Sequence, residues 1–519
     1  MSQTDAVTAR PREEWTGQIG FILSAIGSAV GLGNIWRFPS VAYENGGGAF
    51  LIPYLVALLT AGIPILFLDY AIGHRFRGAA PTAFRRLGGR VGRWMESLGW
   101  FQVAIAFVIG LYYTAVVAWA LSFFVFSFDL RWGDDPRTFF LVDYLAVSDA
   151  GFSMQFVPSV LIPLAIVWIA VIVVLAFGVA RGLQRVNVIG LPVLLIAFVI
   201  LVVRALLLDG AADGLNALFT PNFAALADPN VWIAAYSQIF FSLSIAFGIM
   251  ITYASYRKRR SNLTTPGLVV AFSNSSFEIF AGIGVFATLG YFAFEQGIAV
   301  SELEGIAGPI LTFVTFPAIV SEMPGGVIFG VLFFGALALA GFTSLVSVLQ
   351  VVSAAVQEKF GITARSAALI IGGGSAVLSI IGFATTTGLI ALDTVDQWTN
   401  NIGVVLSAIL SSVLVIWVLR RGEQLRAHLN ALSTFRVGRI WVLLVGLVAP
   451  VVLGYMLAQR VITLIVAGYE DLPAAYLAVA GWGTVVFLLV AAVVLKLLPW
   501  RHSPDEFTPW PAFEKEARR

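Results

Sequence analysis

The chain has 519 residues, of which 59% are hydrophobic and only 12% charged, and it contains no cysteine. Soluble domains carry about 25% charged residues, so this composition is that of a polytopic membrane protein. The net charge of +2 is no signal for nucleic acid, because the charges segregate by loop; the missing cysteines exclude disulfides and thiolate metal centres, and His74, His428 and His502, all in polar flanks, make a His-based metal site improbable.

The first fifteen residues, MSQTDAVTARPREEW, mix acids and bases without a cleavage site and are expected to form a short soluble tail. Twelve apolar spans follow, at about 16–41, 48–73, 94–128, 157–178, 186–208, 231–256, 265–293, 325–357, 365–384, 389–419, 438–464 and 474–498. Each is long enough to cross a bilayer. Span 1 contains GSAVGLGNIWRFP (27–39), with Gly27, Gly31 and Gly33, an Asn and an Arg where a continuous helix would be expected. Glycine costs about 1 kcal/mol per helix position relative to alanine, and polar side chains at membrane depth cost more. Either the helix is broken and its carbonyls are freed to bind something, or Gly27 and Gly31 form a GxxxG packing face.

Basic loops alternate with acidic ones along the rest of the chain. Arg75, Arg77, Arg85, Arg86, Arg90 and Arg93 follow span 2; Arg181 and Arg185 follow span 4; Arg257, Lys258, Arg259 and Arg260 follow span 6. The loops between them carry Asp134, Asp135, Asp143 and Asp149, then Asp209, Asp213 and Asp228, then Glu295, Glu302 and Glu304. The positive-inside rule places the basic loops and both termini in the cytoplasm. Span 6 contains SQIFFSLSIAFG (237–248), again small and polar at mid-membrane. Spans 1 and 6 are five spans apart and so cross in opposite directions. Two interrupted helices at matching places in two halves of opposite topology point to a secondary transporter with its site at the midplane. That pairing favours the broken helix over the packing face.

These residues resemble the neurotransmitter:sodium symporter family, in particular its bacterial leucine-transporter-like amino-acid carriers. The resemblance runs from Trp15 to span 12 and is carried by GSAVGLGNIWRFP, ENGGGAF (44–50), LYY (111–113), QIFFSLS (238–244), ITYASY (251–256), AGFTS (340–344) and VDQWTNNIG (395–403). It implies an all-α protein of twelve transmembrane helices with the leucine-transporter fold: a 5+5 inverted repeat with helices 1 and 6 broken. The expected divisions are a cytoplasmic tail at 1–15, a first repeat at 16–210, a second at 230–420, spans 11 and 12 within 436–499, and a cytoplasmic tail at 500–519.

Ala340, Thr343 and Ser344 fall at i, i+3 and i+4 on one helix face, a spacing that serves helix-helix hydrogen bonds as readily as an ion. By resemblance, one sodium site uses the carbonyls of Gly27, Val30 and Ala340 with the hydroxyls of Thr343 and Ser344. The other uses Ala29, Asn34, Ser242 and Asn274, with the substrate carboxylate as a further ligand. Ser242 stands where the model transporter has Thr, and its hydroxyl is kept. The substrate site implied is Ala29, Gly31, Leu32, Gly33, Ile109, Tyr113, Phe241, Ser242, Ser244, Phe247, Ser344, Ser347 and Val348. Monoamine carriers of the family have Asp at the place of Gly31, so glycine here implies a substrate that brings its own carboxylate. Ser28 and Ala246 depart from the family's Asn and Gly at the two breaks, which bears on the side-chain preference.

Glu278 lies one helical turn after Asn274 in span 7. By resemblance it takes the place of chloride, near Tyr54, Gln238 and Ser242, which implies chloride-independent transport. Arg37 with Asp396 and Arg12 with Glu358 are the implied outer and inner gates, the inner one helped by Trp15, Tyr256 and Gln350; Glu358 replaces an Asp. Asp69 is expected to pack near the site. The expected function is sodium-coupled import of a neutral, hydrophobic amino acid across the bacterial-type cell membrane, with Na+ at two sites and no chloride, no catalysis and no nucleic-acid partner. The alternative is a sensor on the same scaffold that binds the amino acid without moving it.

Overall fold

The computed structural model describes residues 13–303, 306 and 308–507. Among these the chain is helical; its β-type pairing is confined to two isolated bridges, Gly47 with Pro221 and Phe156 with Thr385. Ten helices are long and apolar enough to span a bilayer: Gly48–Phe76, Ala80–Phe126, Pro158–Ala176, Val179–Leu206, Thr264–Gln296, Gly326–Phe360, Ala364–Phe383, Gly388–Val418, Ile440–Val466 and Ala474–Leu497. They correspond to predicted spans 2 to 5 and 7 to 12. Predicted span 1 is the bent pair Gln18–Ala29 and Gly33–Glu44, whose halves meet at 54°. Predicted span 6 is two shorter helices, Pro229–Ser242 and Ile249–Ser255, separated by six residues.

Two stretches expected as loops are ordered helices. The basic segment before span 3 forms Ala80–Gly88, with Pro81 in its first turn and Ala80, Thr82, Ala83, Phe84 and Leu87 buried. Its arginines hid an amphipathic pattern, since they occupy only the outward face. The acidic connection between spans 7 and 8 contains the apolar helix Gly308–Glu322.

The spans divide into a core and a periphery. An 18-residue apolar stretch of span 3 is 89% buried, against 28% for that of span 12. Span 8 packs along spans 3 and 5, and the first half of span 1 lies against spans 5 and 7. Exposed Ile and Val side chains on spans 4, 5, 11 and 12 (Ile162, Ile196, Ile465, Val490) give those helices an apolar outer surface, as lipid contact requires. Spans 1, 3, 6 and 8 enclose the interior, where both breaks lie.

Candidate functional site

The break in span 1 is short. Val30 takes an extended conformation (φ −75°, ψ 100°) at the end of the first half-helix, and Gly33 begins the second half. Ending the helix there releases its last carbonyls from the i→i+4 ladder. Neither Gly31 nor Gly33 has a positive φ. Their value is space. A methyl on Gly31 would stand 2.9 Å from the Tyr113 hydroxyl and 3.1 Å from Ser344 Cβ, and one on Gly33 would overlap the Phe241 ring.

The break in span 6 is built differently. Ser244 (φ 53°), Ala246 (φ 67°) and Gly248 (φ 88°) all lie in the left-handed region. For Ser and Ala this costs roughly 1–2 kcal/mol each, so neighbours must hold them there. The Ser244 hydroxyl donates to the Ser28 carbonyl across the two breaks at 3.2 Å. The Ala246 N–H donates to the buried Asp69 carboxylate at 3.1 Å, and the Ala246 carbonyl accepts from Ser407 at 2.5 Å. The expected packing role of Asp69 is thus a specific one: it caps the broken strand.

Between the two breaks lies a cavity lined by Ala29, Gly31, Gly33, Asn34, Ile109, Tyr113, Phe241, Ser242, Ser244, Phe247, Ser344, Val348 and Asn400. Most of the substrate set read from the sequence meets here. Leu32 and Ser347 do not line it. Leu32 contributes its N–H to the Tyr113 hydroxyl at 3.1 Å, and Ser347 donates to the Thr343 carbonyl at 2.8 Å. Asn400 was not assigned from the sequence. It lies in the VDQWTNNIG stretch, and two adjacent amides at mid-membrane are the signal that could have found it.

Asn34, Asn274 and Ser242, three of the ligands implied for the sodium site that includes Ala29, form a continuous chain. The Asn34 amide oxygen accepts from the Gly31 N–H at 2.9 Å, its amide nitrogen donates to Asn274 at 2.8 Å, and Asn274 donates to Ser242 at 3.2 Å. The other set meets where spans 1 and 8 touch: Thr343 donates to the Ala340 carbonyl at 2.9 Å and Ser344 to the Ser28 carbonyl at 3.0 Å. Both sets offer neutral oxygens only, with Asn34, Asn274, Ser242 and Thr343 at most 2% exposed. Oxygen-only donors at freed helix ends fit a hard alkali cation. Glu278 is fully buried and accepts from Gln238 at 2.8 Å and from Tyr54.

One side of the cavity is closed by Phe241, with the Arg37 guanidinium 4.5 Å above its ring. Arg37 and Asp396, implied to be the outer gate, bond to other groups in this structure. Arg37 donates to Ser237 at 3.2 Å, while Asp396 accepts from Asn400 at 2.7 Å, one turn along its own helix. On the other side Trp15 donates to the Tyr253 carbonyl at 2.8 Å, and Gln350 donates to the Tyr256 hydroxyl at 3.2 Å. Glu358 accepts from the Ala79 N–H at 3.0 Å and from Thr82 at 2.5 Å; Arg12, its expected partner, lies outside the described residues.

Comparisons with known proteins agree with this architecture. The model of the Sodium:neurotransmitter symporter family matches residues 12–136 and 133–502. An uncharacterized sodium-dependent transporter of Methanocaldococcus jannaschii is 38% identical over 489 residues, 93% of this chain and 97% of that protein. The sodium- and chloride-dependent GABA transporter 2 of Mus musculus is 30% identical over 456 residues, 79% of this chain and 74% of its own. The crystal structure of MhsT in complex with L-phenylalanine superimposes with a TM-score of 0.74 at 32% identity, covering 87% of this chain and 100% of that one.

Proposed function

This chain belongs to the sodium:neurotransmitter symporter family, and from that premise we propose that it imports a neutral, hydrophobic α-amino acid with sodium by alternating access. It is a multi-pass membrane transporter and not an enzyme. The finer reading rests on one observation: the cavity at the meeting of the two breaks is lined by Ile109, Phe241, Phe247 and Val348 and also holds the Tyr113 hydroxyl and Ser344 beside Gly31.

The Tyr113 hydroxyl accepts the Leu32 N–H, so its own proton is left to donate, and a substrate carboxylate is the matching acceptor. The room for that carboxylate exists because Gly31 has no side chain, with Tyr113 and Ser344 immediately beyond. The same carboxylate completes the sodium site of Ala29, Asn34, Ser242 and Asn274, which ties substrate binding to ion binding. The second ion uses Gly27, Val30, Ala340, Thr343 and Ser344. That MhsT is solved with L-phenylalanine supports a hydrophobic side chain. Each sodium gains about 2.3 kcal/mol per 100 mV and about 1.4 kcal/mol from a tenfold gradient. Two ions supply roughly 7 kcal/mol, enough for about a 10⁵-fold gradient of a zwitterion.

The fixed carboxylate of Glu278 makes transport chloride-independent, unlike that of the GABA transporter. Glu278→Ser should therefore make uptake depend on chloride; uptake that stays indifferent to chloride removes this part of the reading. Both termini are cytoplasmic in the cell membrane, residues 16–210 and 230–420 are the inverted halves, and Arg37, Asp396, Arg12 and Glu358 belong to the gates. The test is thermal stabilisation by each of the twenty amino acids in sodium and in potassium. Stabilisation by leucine- or phenylalanine-like side chains in sodium alone is expected; stabilisation by no amino acid, or equally in both salts, contradicts the proposal.

A further inference from the structure

Span 1 presents one stripe to span 5. Gly20, Ser24, Gly27 and Ser28 recur at i, i+4, i+7 and i+8, the spacing of a single helix face. A Cβ on Gly20 would overlap Gln184, and one on Gly27 would overlap the Asn187 amide oxygen. One turn further along span 5, Gly190 faces the Thr343 methyl. Span 5 therefore runs past the Gly27–Thr343 ion site, with Asn187 beside Gly27 on the side that carries the termini.

In this seam three buried oxygens stand without a hydrogen-bond partner among the described residues: Asn187 Oδ1, Ser24 Oγ and Ser28 Oγ. Asn187 is fully buried; its amide nitrogen donates to the Leu183 carbonyl at 2.9 Å, but its Oδ1 accepts no hydrogen bond. Ser24, fully buried on the facing stripe, has an equally orphaned Oγ. A buried polar atom left unsatisfied costs about 1–3 kcal/mol. A structural Asn would be expected to satisfy both ends of its amide. Here the nitrogen is tied to its own helix, and the oxygen faces Gly27. The absence of a side chain at Gly27 leaves room for that approach.

We propose that Asn187 Oδ1, assisted by Ser24 Oγ, is a further sodium ligand at the lip of the Gly27–Thr343 site, contributing to the bound ion and keeping hold of it as it leaves toward the cytoplasm. The inference rests on the sodium assignment made above. It adds span 5, an element outside that assignment, and it accounts for two orphan oxygens that packing leaves unexplained. An amide oxygen and a hydroxyl are neutral donors of the same kind as the site's other ligands, so an ion can move on to them without a change in ligand chemistry.

The test is the sodium concentration giving half-maximal thermal stabilisation of the purified full-length transporter, with radioactive sodium release as a second readout. Asn187→Ala should raise that concentration about tenfold, as loss of a group supporting a metal site typically does, and Ser24→Ala should raise it by less. Asn187→Asp keeps the oxygen, adds charge, and should lower it and slow release; this variant decides the matter if the alanine variant fails to fold. Thr343→Ala serves as reference. If Thr343→Ala raises the concentration while Asn187→Ala and Asn187→Asp both match the unmodified protein, the ligand role of Asn187 is overturned and the sodium site stands. If Thr343→Ala also matches it, the sodium site itself is overturned, and this inference with it.

Discussion

The two breaks do the same job by opposite means. In span 1 the interruption covers three residues and leaves every backbone angle ordinary; the glycines are there so that Tyr113, Ser344 and Phe241 can approach the main chain. In span 6 it covers six residues and forces Ser244 and Ala246 into the left-handed region, where Asp69, Ser407 and the Ser28 carbonyl hold them. The first break is made by removing side chains, the second by spending backbone strain against fixed hydrogen bonds. A strained segment that its surroundings over-determine is typical of a binding site. It follows that span 1 should be intolerant of added atoms and span 6 intolerant of lost hydrogen bonds.

Adding atoms to span 1 should have the largest effect. Gly33→Ala drives a methyl into the Phe241 ring. Overpacking of this kind costs about 1–3 kcal/mol, so amino-acid affinity, read from sodium-dependent thermal stabilisation, should fall by about 10- to 100-fold. Unchanged affinity would mean that the glycines serve the helix break and not the space. Next comes the support of span 6. Asp69→Ala leaves the Ala246 N–H without its acceptor and should destabilise the protein by about 2 kcal/mol, seen as a lower unfolding midpoint. Asp69→Asn keeps an acceptor oxygen and should lose less; equal losses would shift the role of Asp69 from acceptor to charge.

Ala246→Gly should be milder and opposite in kind. Relief of the left-handed strain, about 1 kcal/mol, is offset by the entropy of glycine and one lost methyl, so the unfolding midpoint should barely move. A loss as large as that of Asp69→Ala would show that Ala246 is held by its side chain and not by its backbone. The smallest effect is expected far from both breaks, where Asp505 pairs with Arg85 at 2.7 Å below the helical core. The hydrogen bond from Arg85 holds the Asp505 carboxyl below its ordinary value of 3.8. A group lowered on folding contributes above its unfolded value and loses that contribution as pH falls through its folded one. Limited proteolysis of the C-terminal segment should therefore be flat above pH 4 and rise only in stronger acid, with substrate affinity unaffected by Asp505→Asn.

Hydropathy alone carried the spans, because a bilayer demands long apolar helices and the chain supplies them. The break between Ala29 and Gly33 was legible because Gly27, Gly31 and Gly33 with Asn34 and Arg37 violate helix chemistry openly. The strain at Ser244 and Ala246 was not, since neither residue type announces a positive φ; it is held by Ser28, Asp69 and Ser407, which lie far away in sequence. Helix Ala80–Gly88 is hard to read from the sequence because it is short and lies in a connection rich in arginine, with Phe84 and Leu87 as its only large buried side chains. The partners of Arg37 and Asp396 were equally hidden: the resemblance implies a gate, and nothing in the sequence points to Ser237, the Phe241 ring and Asn400 as the groups these side chains meet.

The central claim is that the cavity joining the two breaks couples sodium to a neutral amino acid. It is tested most directly by uptake of labelled phenylalanine and leucine into proteoliposomes under an inward sodium gradient. The account predicts transient accumulation above the external concentration, abolished when potassium replaces sodium and suppressed in Gly33→Ala. Equal uptake in potassium, or binding without any flux, would contradict it.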